Sequence, residues 1–302
     1  MTPKALLVSG ALSVLGQPLG VSQGQNQTCQ SARGISLWSQ RDPVFLLESL
    51  AAVASEDSLT LRFEDAKLRS DALKSHRVGV IGGLDPVSAV LTPHLDRLYA
   101  QIMKRASGRS SDAHRWANPG LYGSWVPGGF TSCFTGSART VLDHGDFVRS
   151  FYGTFHPDFN GGHQPVYPNP VGIVVTDARG RLLGLHAVSL LRVARDPQGK
   201  VRVYFFNPNG EDRQNWGQGI RTQVSGFGER PGETSLPFAD LATRIYAFHH
   251  TLPAADKATI PQDRVSSVTK RAQESWGQKY RWRQSKRSDS KGEPTKKKAA
   301  QD

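Results

Sequence analysis

A chain of 302 residues with 37% apolar side chains and 30 glycines can bury one large domain, or two lobes sharing a cleft, and is too apolar for wholesale disorder. Two cysteines, Cys29 and Cys133, exclude a disulfide-rich secreted scaffold. The formal charge of +12 is concentrated at one end. Residues 264–302 hold twelve Lys or Arg against four Asp or Glu, so residues 1–263 carry only +4 and give no electrostatic case for a nucleic-acid groove.

The first element in chain order is the apolar run Ala5 to Gly16, preceded by Lys4. It has the length of a signal-peptide core and is too short to span a bilayer. A clear small-x-small cleavage site is missing, so the expectation is a strand or turn packed on the body of a cytoplasmic protein, with secretion the weaker alternative. Cys29 follows a polar, turn-forming stretch, and the residues after it can start a helix. Pro43 to Ser55 reads as a helix capped by Asp42, and Ser58 to Glu64 alternates like a strand. Asp85 to Lys104 is the longest helical pattern, with Val87, Val90, Leu91, Leu95, Leu98 and Ile102 on one face. Residues 105–135 are rich in Gly, Ser, Pro and aromatics, which suits long loops lining a cleft.

The second half is different in kind. Val171–Thr176, Leu183–Val193 and Val201–Phe206 are β-branched apolar runs separated by the hairpin turns Asp177–Gly180 and Asp196–Gly199. Ser235 to His249 fits one more strand or a short helix. Residues 264–284 fit a last helix, and 285–302 form a Lys/Ser-rich tail expected to be disordered. Helices first and antiparallel strands later spell an α+β fold, with residues 1–263 as its body.

Three residues stand out chemically. A cysteine at a helix start sees the positive end of the dipole, which favours the thiolate. His186 lies on a strand among apolar neighbours, where it is either a satisfied core histidine or a rigidly held base. Asn207 ends the next strand, in the turn Asn207-Pro-Asn-Gly210; beyond making the turn, its carbonyl could fix the tautomer of a histidine. The hairpin between the two strands lets His186 and Asn207 lie side by side.

These residues fall in a pattern that resembles the papain-like cysteine peptidases, in particular bacterial members of the bacteriocin-processing type. Gln23 stands six residues before Cys29, His186-Ala187-Val188 lies on a strand, and an aromatic strand ends in Asn207-Pro-Asn-Gly210, followed by Trp216-Gly217. The likeness is anchored at 23–29 and 183–217. The Cys-Gly-Ser-Cys-Trp signature of the cathepsin branch is replaced by Cys29-Gln-Ser-Ala-Arg33, and Gln25 and Gln27 compete with Gln23. The resemblance implies a helical lobe (about 24–135) facing an antiparallel sheet lobe (about 165–260), with the site between them. It further implies Cys29 as nucleophile, His186 as base, Asn207 as its orienter and Gln23 with the Cys29 N–H as oxyanion hole. Trp216 would shield the His–Asn bond. The expected substrate is a protein or peptide, with no cofactor, metal or membrane involved.

A deamidase, transglutaminase or cell-wall amidase would use the same thioester. A different class of reading is a binding protein that docks nucleic acid or an acidic partner through its tail, where Trp276, Tyr280 and Trp282 interleave with basic residues. No Gly-x-Ser-x-Gly elbow, phosphate loop or His-Glu-x-x-His helix occurs. His156, Asp158, Asn160 and His163 could hold a cation but read better as a polar loop, and Cys133 lacks a matching upstream glutamine, so it reads as structural.

Overall fold

The computed structural model describes residues 2–63, 66–71, 83–106, 129–132, 144–177, 179, 181–210, 216, 220–250, 262–272 and 274–275. The chain opens with α1 (Pro3–Gly16), α2 (Cys29–Arg41) and α3 (Pro43–Glu56). A hairpin of β1 (Ser58–Phe63) and β2 (Ala66–Asp71) follows, then α4 (Pro86–Ala106). Next come β3 (Gly129–Ser132), α5 (His144–Phe155), β4 (Asn169–Thr176), β5 (Leu182–Arg195), β6 (Val201–Phe206), β7 (Thr234–Pro237), α6 (Phe238–Ala242), β8 (Ile245–His250) and α7 (Gln262–Ala272). The α+β class expected from the sequence is thus observed.

Local chemistry sets the boundaries. Asp42 accepts from Phe45 N at 3.1 Å and Pro43 occupies the first turn, starting α3 where expected. Asp85 accepts from the N–H groups of Val87 and Ser88 at 3.0 and 2.9 Å and caps α4. The apolar run at the N-terminus is a correction: it is packed on the body as expected, but as the helix α1 and not as a strand or turn. Thr2 caps it by accepting from Ala5 N, and Pro3 sits at its first turn. The buried Val14 gives its carbonyl to Ser39 Oγ at 2.8 Å, which fixes α1 to α2. The stretch left open between strand and helix is both, β7 running directly into α6 and then into β8. Cys133 and the tail from 276 onward, with Trp276, Tyr280 and Trp282, lie outside the described residues.

The large sheet is antiparallel, in the order β3-β8-β4-β5-β6-β7. Asp177 and Asp196 make its hairpin turns by accepting backbone N–H bonds, from Arg179 and Arg181 in one case and from Gln198 and Lys200 in the other. Successive side chains of a strand point to opposite faces. Phe205 joins a core with α5, α6 and α7, whereas Phe206 joins a second core with α1, α2, α3, α4 and the small hairpin. The sheet therefore separates a helical core from one built on aromatics such as Phe147, Phe151, Phe155, Phe238 and Phe248. Among the described residues no helix is long and apolar enough to cross a membrane.

One position of the sheet tolerates no side chain. Gly172 pairs with Ala187, and a Cβ on it would sit 2.5 Å from Cζ of the buried Tyr246. Gly172→Ala is expected to cost about 1–3 kcal/mol by overpacking, read as a lower urea midpoint with unchanged m-value. An unaltered midpoint would show that Tyr246 yields freely.

Candidate active site

Cys29 is the first residue of α2, and the N–H of Gln30 in its first turn reaches the sulfur. α2 packs across β5. Arg33, one turn after Cys29 and buried, donates through Nη1 to the carbonyls of Val171 (2.9 Å) and Val188 (3.3 Å), and through Nη2 to Gln30 Oε1. One arginine thus ties α2 to two neighbouring strands. The N–H of Ala187, directly after His186, donates to the Cys29 sulfur.

His186 and Asn207 meet across the β5–β6 hairpin. His186 Nε2–H donates to Asn207 Oδ1 at 2.8 Å, and both residues are about 6% exposed. Asn207 is held in turn: its Oδ1 accepts from Asn209 N (3.1 Å), its Nδ2 donates to Gly210 O (3.2 Å), and Gly210 N returns a bond to Asn207 O. Gly210 takes a φ of 87°, the left-handed conformation a glycine supplies without strain. With the proton fixed on Nε2, Nδ1 is the basic nitrogen of the ring.

The loop before α2 is fastened to the same turn, since Gln23 N donates to Pro208 O at 2.9 Å. Gln23 is buried and spends one Nε2 hydrogen on Asn26 O, which leaves its second hydrogen for another acceptor. Gln25 and Gln27 are exposed; Gln27 reaches the rim of the site and Gln25 does not. Of the three glutamines, Gln23 alone is buried.

Gln23, Cys29 and His186 line one cavity of about 420 Å³, together with Gln27, Thr28, Gln30, Asp96 and Tyr99 and with Val175, Leu183, Gly184 and Leu185 of the sheet. Asn207 stands behind His186. Trp216 is buried edge-on to Phe205, two residues before Asn207, with their ring centroids 5.6 Å apart. Its carbonyl accepts from Thr176 Oγ1 and from Arg244 Nη2. The remaining candidates lie elsewhere: His156 stacks between Tyr152 and Phe159, and Asp158 pairs with Arg195 at 2.5 Å.

The electrostatics differ from the sequence expectation of a preformed thiolate. Burial pushes the Cys29 thiol above its ordinary value and outweighs the Ala187 N–H, the Arg33 charge and the Gln30 N–H, all of which pull it down. Burial likewise lowers His186 to about 4, against the supporting bond to Asn207 and with help from the Arg33 charge. Near neutrality the site therefore rests as a thiol beside a neutral imidazole able to take its proton. The dipole of α2 is present, but desolvation of the sulfur is the larger effect.

Two contributors carry no motif in the sequence. Arg33 had a readable signal, an arginine four residues after Cys29 among the apolar Ala32, Ile35, Leu37 and Trp38 of the same helix. Asp96 had none, because only the packing of α4 on α2 brings it to the cavity. No protein-family model and no curated protein matches the chain.

Proposed function

We propose that the protein is a papain-like cysteine hydrolase that cleaves peptide or amide bonds through an acyl-enzyme. The observation carrying this reading is the His186 Nε2–H bond to Asn207 Oδ1 in a cavity whose wall also holds Cys29 at the start of a helix and the buried Gln23. The Cys29 sulfur attacks the substrate carbonyl carbon as its proton passes to His186 Nδ1. The resulting oxyanion accepts from the Cys29 N–H and the second Nε2 hydrogen of Gln23. Collapse breaks the C–N bond, and the leaving amine takes the proton from His186. Water then attacks the thioester with His186 again as base, which releases the acid and restores the thiol. Trp216, packed on Phe205 of β6, is read as keeping water from the His186–Asn207 bond.

The test is to incubate the protein with a peptide mixture and to measure three products: new amino termini, ammonia, and incorporation of an added primary amine. Acid-quenched samples are searched by mass spectrometry for a thioester on Cys29. New amino termini and a thioester, both lost in Cys29→Ala, are expected for a peptidase. Ammonia or amine incorporation would assign the same intermediate to a deamidase or a transglutaminase. Equal turnover by Cys29→Ala would sink the proposal.

A further inference from the structure

Among the described residues, the two most buried carboxylates are each paired with an arginine. Asp196 pairs with Arg202 at 3.3 Å and Glu233 with Arg192 at 2.6 Å. Asp96, half-buried on α4, accepts one hydrogen bond, from Ser31 Oγ to its Oδ1 at 2.5 Å, and among the described residues no Lys, Arg or His lies within ion-pair distance of it. The nearby Arg33 is turned to the Val171 and Val188 carbonyls. Asp96 stands instead in the wall of the Cys29 cavity, with Tyr99 one turn further along α4 and the apolar Val175, Leu183 and Leu185 in the same lining.

A carboxylate with no cation beside it among the described residues, next to an aromatic ring and an aliphatic wall, is a lining that suits a long side chain with a positive end. Its stem packs on carbon, and its charge meets the acid and the ring face. Resting on the cysteine-hydrolase reading of the same cavity, we infer that the site binds a cationic group of its substrate, an ammonium or guanidinium, with Asp96 as the counter-charge and specificity-determining residue. Burial already holds the empty carboxylate at about 6, and a bound cation lowers it again.

Methanethiosulfonate reagents test this without a known substrate. Each transfers its alkylthio group to the Cys29 sulfur as a mixed disulfide, expelling methanesulfinate while the thiol proton passes to a base. Three are compared, bearing a methyl, an ammonium-ethyl or a sulfonate-ethyl group, with labelling of Cys29 followed by mass spectrometry. The ammonium reagent is expected to outpace the sulfonate by about tenfold in the parent protein. Asp96→Asn should bring the ratio near one and Asp96→Lys should invert it, each charged reagent's rate being divided by the methyl reagent's because the Asp96 charge also raises the Cys29 thiol. An unchanged ratio in Asp96→Asn overturns the inference while leaving the hydrolase reading intact. A methyl-reagent rate indifferent to His186→Ala instead undermines the hydrolase reading itself. Protection of Cys29 by an N-acetyl-lysine peptide amide would place the cation on a bound peptide. Protection by n-butylamine would place it on a free amine co-substrate. Failure of both to protect the parent would overturn the inference.

Discussion

Replacing His186 by alanine is expected to slow alkylation of Cys29 by iodoacetamide at neutral pH by about 10²-fold or more, the usual contribution of a positioned general base. The reason is the resting state of the pair. Burial keeps the Cys29 proton on sulfur, so the sulfur becomes a nucleophile only when a neighbour takes that proton. The neighbour is neutral because burial lowers His186 to about 4, and its Nε2–H is committed to Asn207. In the parent protein the rate should therefore persist on acidification and fall only as pH drops through about 4. In His186→Ala the rate should follow the thiol's own ionisation and rise only at alkaline pH. Asn207→Ala should fall between the two, because the ring remains but its tautomer and orientation are released. Equal rates and parallel pH profiles in parent and His186→Ala would remove His186 from the chemistry.

The second large effect concerns stability. His186 is lowered to about 4 in the fold from an ordinary 6.5, so the unfolded chain binds more protons between these values. Its contribution is complete above pH 6.5 and is lost as pH falls toward 4. Asp96 is raised to about 6 from an ordinary 3.8 and has the opposite sign. Its contribution is complete below 3.8 and is lost as pH rises through 6. Each shift corresponds to roughly 3 kcal/mol, over nearly the same window, and the two offset each other in the parent protein. Removing either partner exposes the other. Between pH 7 and 4, Asp96→Asn should lose roughly 3 kcal/mol relative to the parent. His186→Ala should gain by a similar amount on the same scale. Urea midpoints of the three proteins across that window provide the measurement. Parallel curves would mean that neither group changes its protonation on folding.

The two experiments read the cavity from different sides. Alkylation reports whether His186 moves a proton, whereas the stability curves report what it costs the fold to keep an imidazole neutral and a carboxylate without a cation in one wall. Both groups owe their displacement first to burial. On the proposed mechanism, charge develops on the substrate only during attack, where the Cys29 N–H and Gln23 would meet it.

Elements with strong local signals are legible in the chain before it folds. Asp42 before Pro43, the apolar stripe of α4 and the β-branched runs around Asp177 and Asp196 fold as their periodicity and turn chemistry dictate. The nearness of His186 and Asn207 is legible too, since a hairpin sets its own register. The strand-or-turn expectation for the N-terminal run failed because its continuous apolar character has no period to distinguish strand from helix. Thr2, Pro3 and the packing of α1 on α2 and α4 decided it. The remaining features depend on packing between distant segments. Which glutamine is buried follows from the bond of Gln23 to Pro208, made between segments far apart in the chain. The protonation state of Cys29 follows from desolvation, which overrides the helix dipole that the sequence could reveal. Asp96 reaches the site only because α4 lies against α2. Local signals fix backbone shape because they act within a few residues, whereas burial and charge at the site are properties of neighbours that only the packed chain brings together.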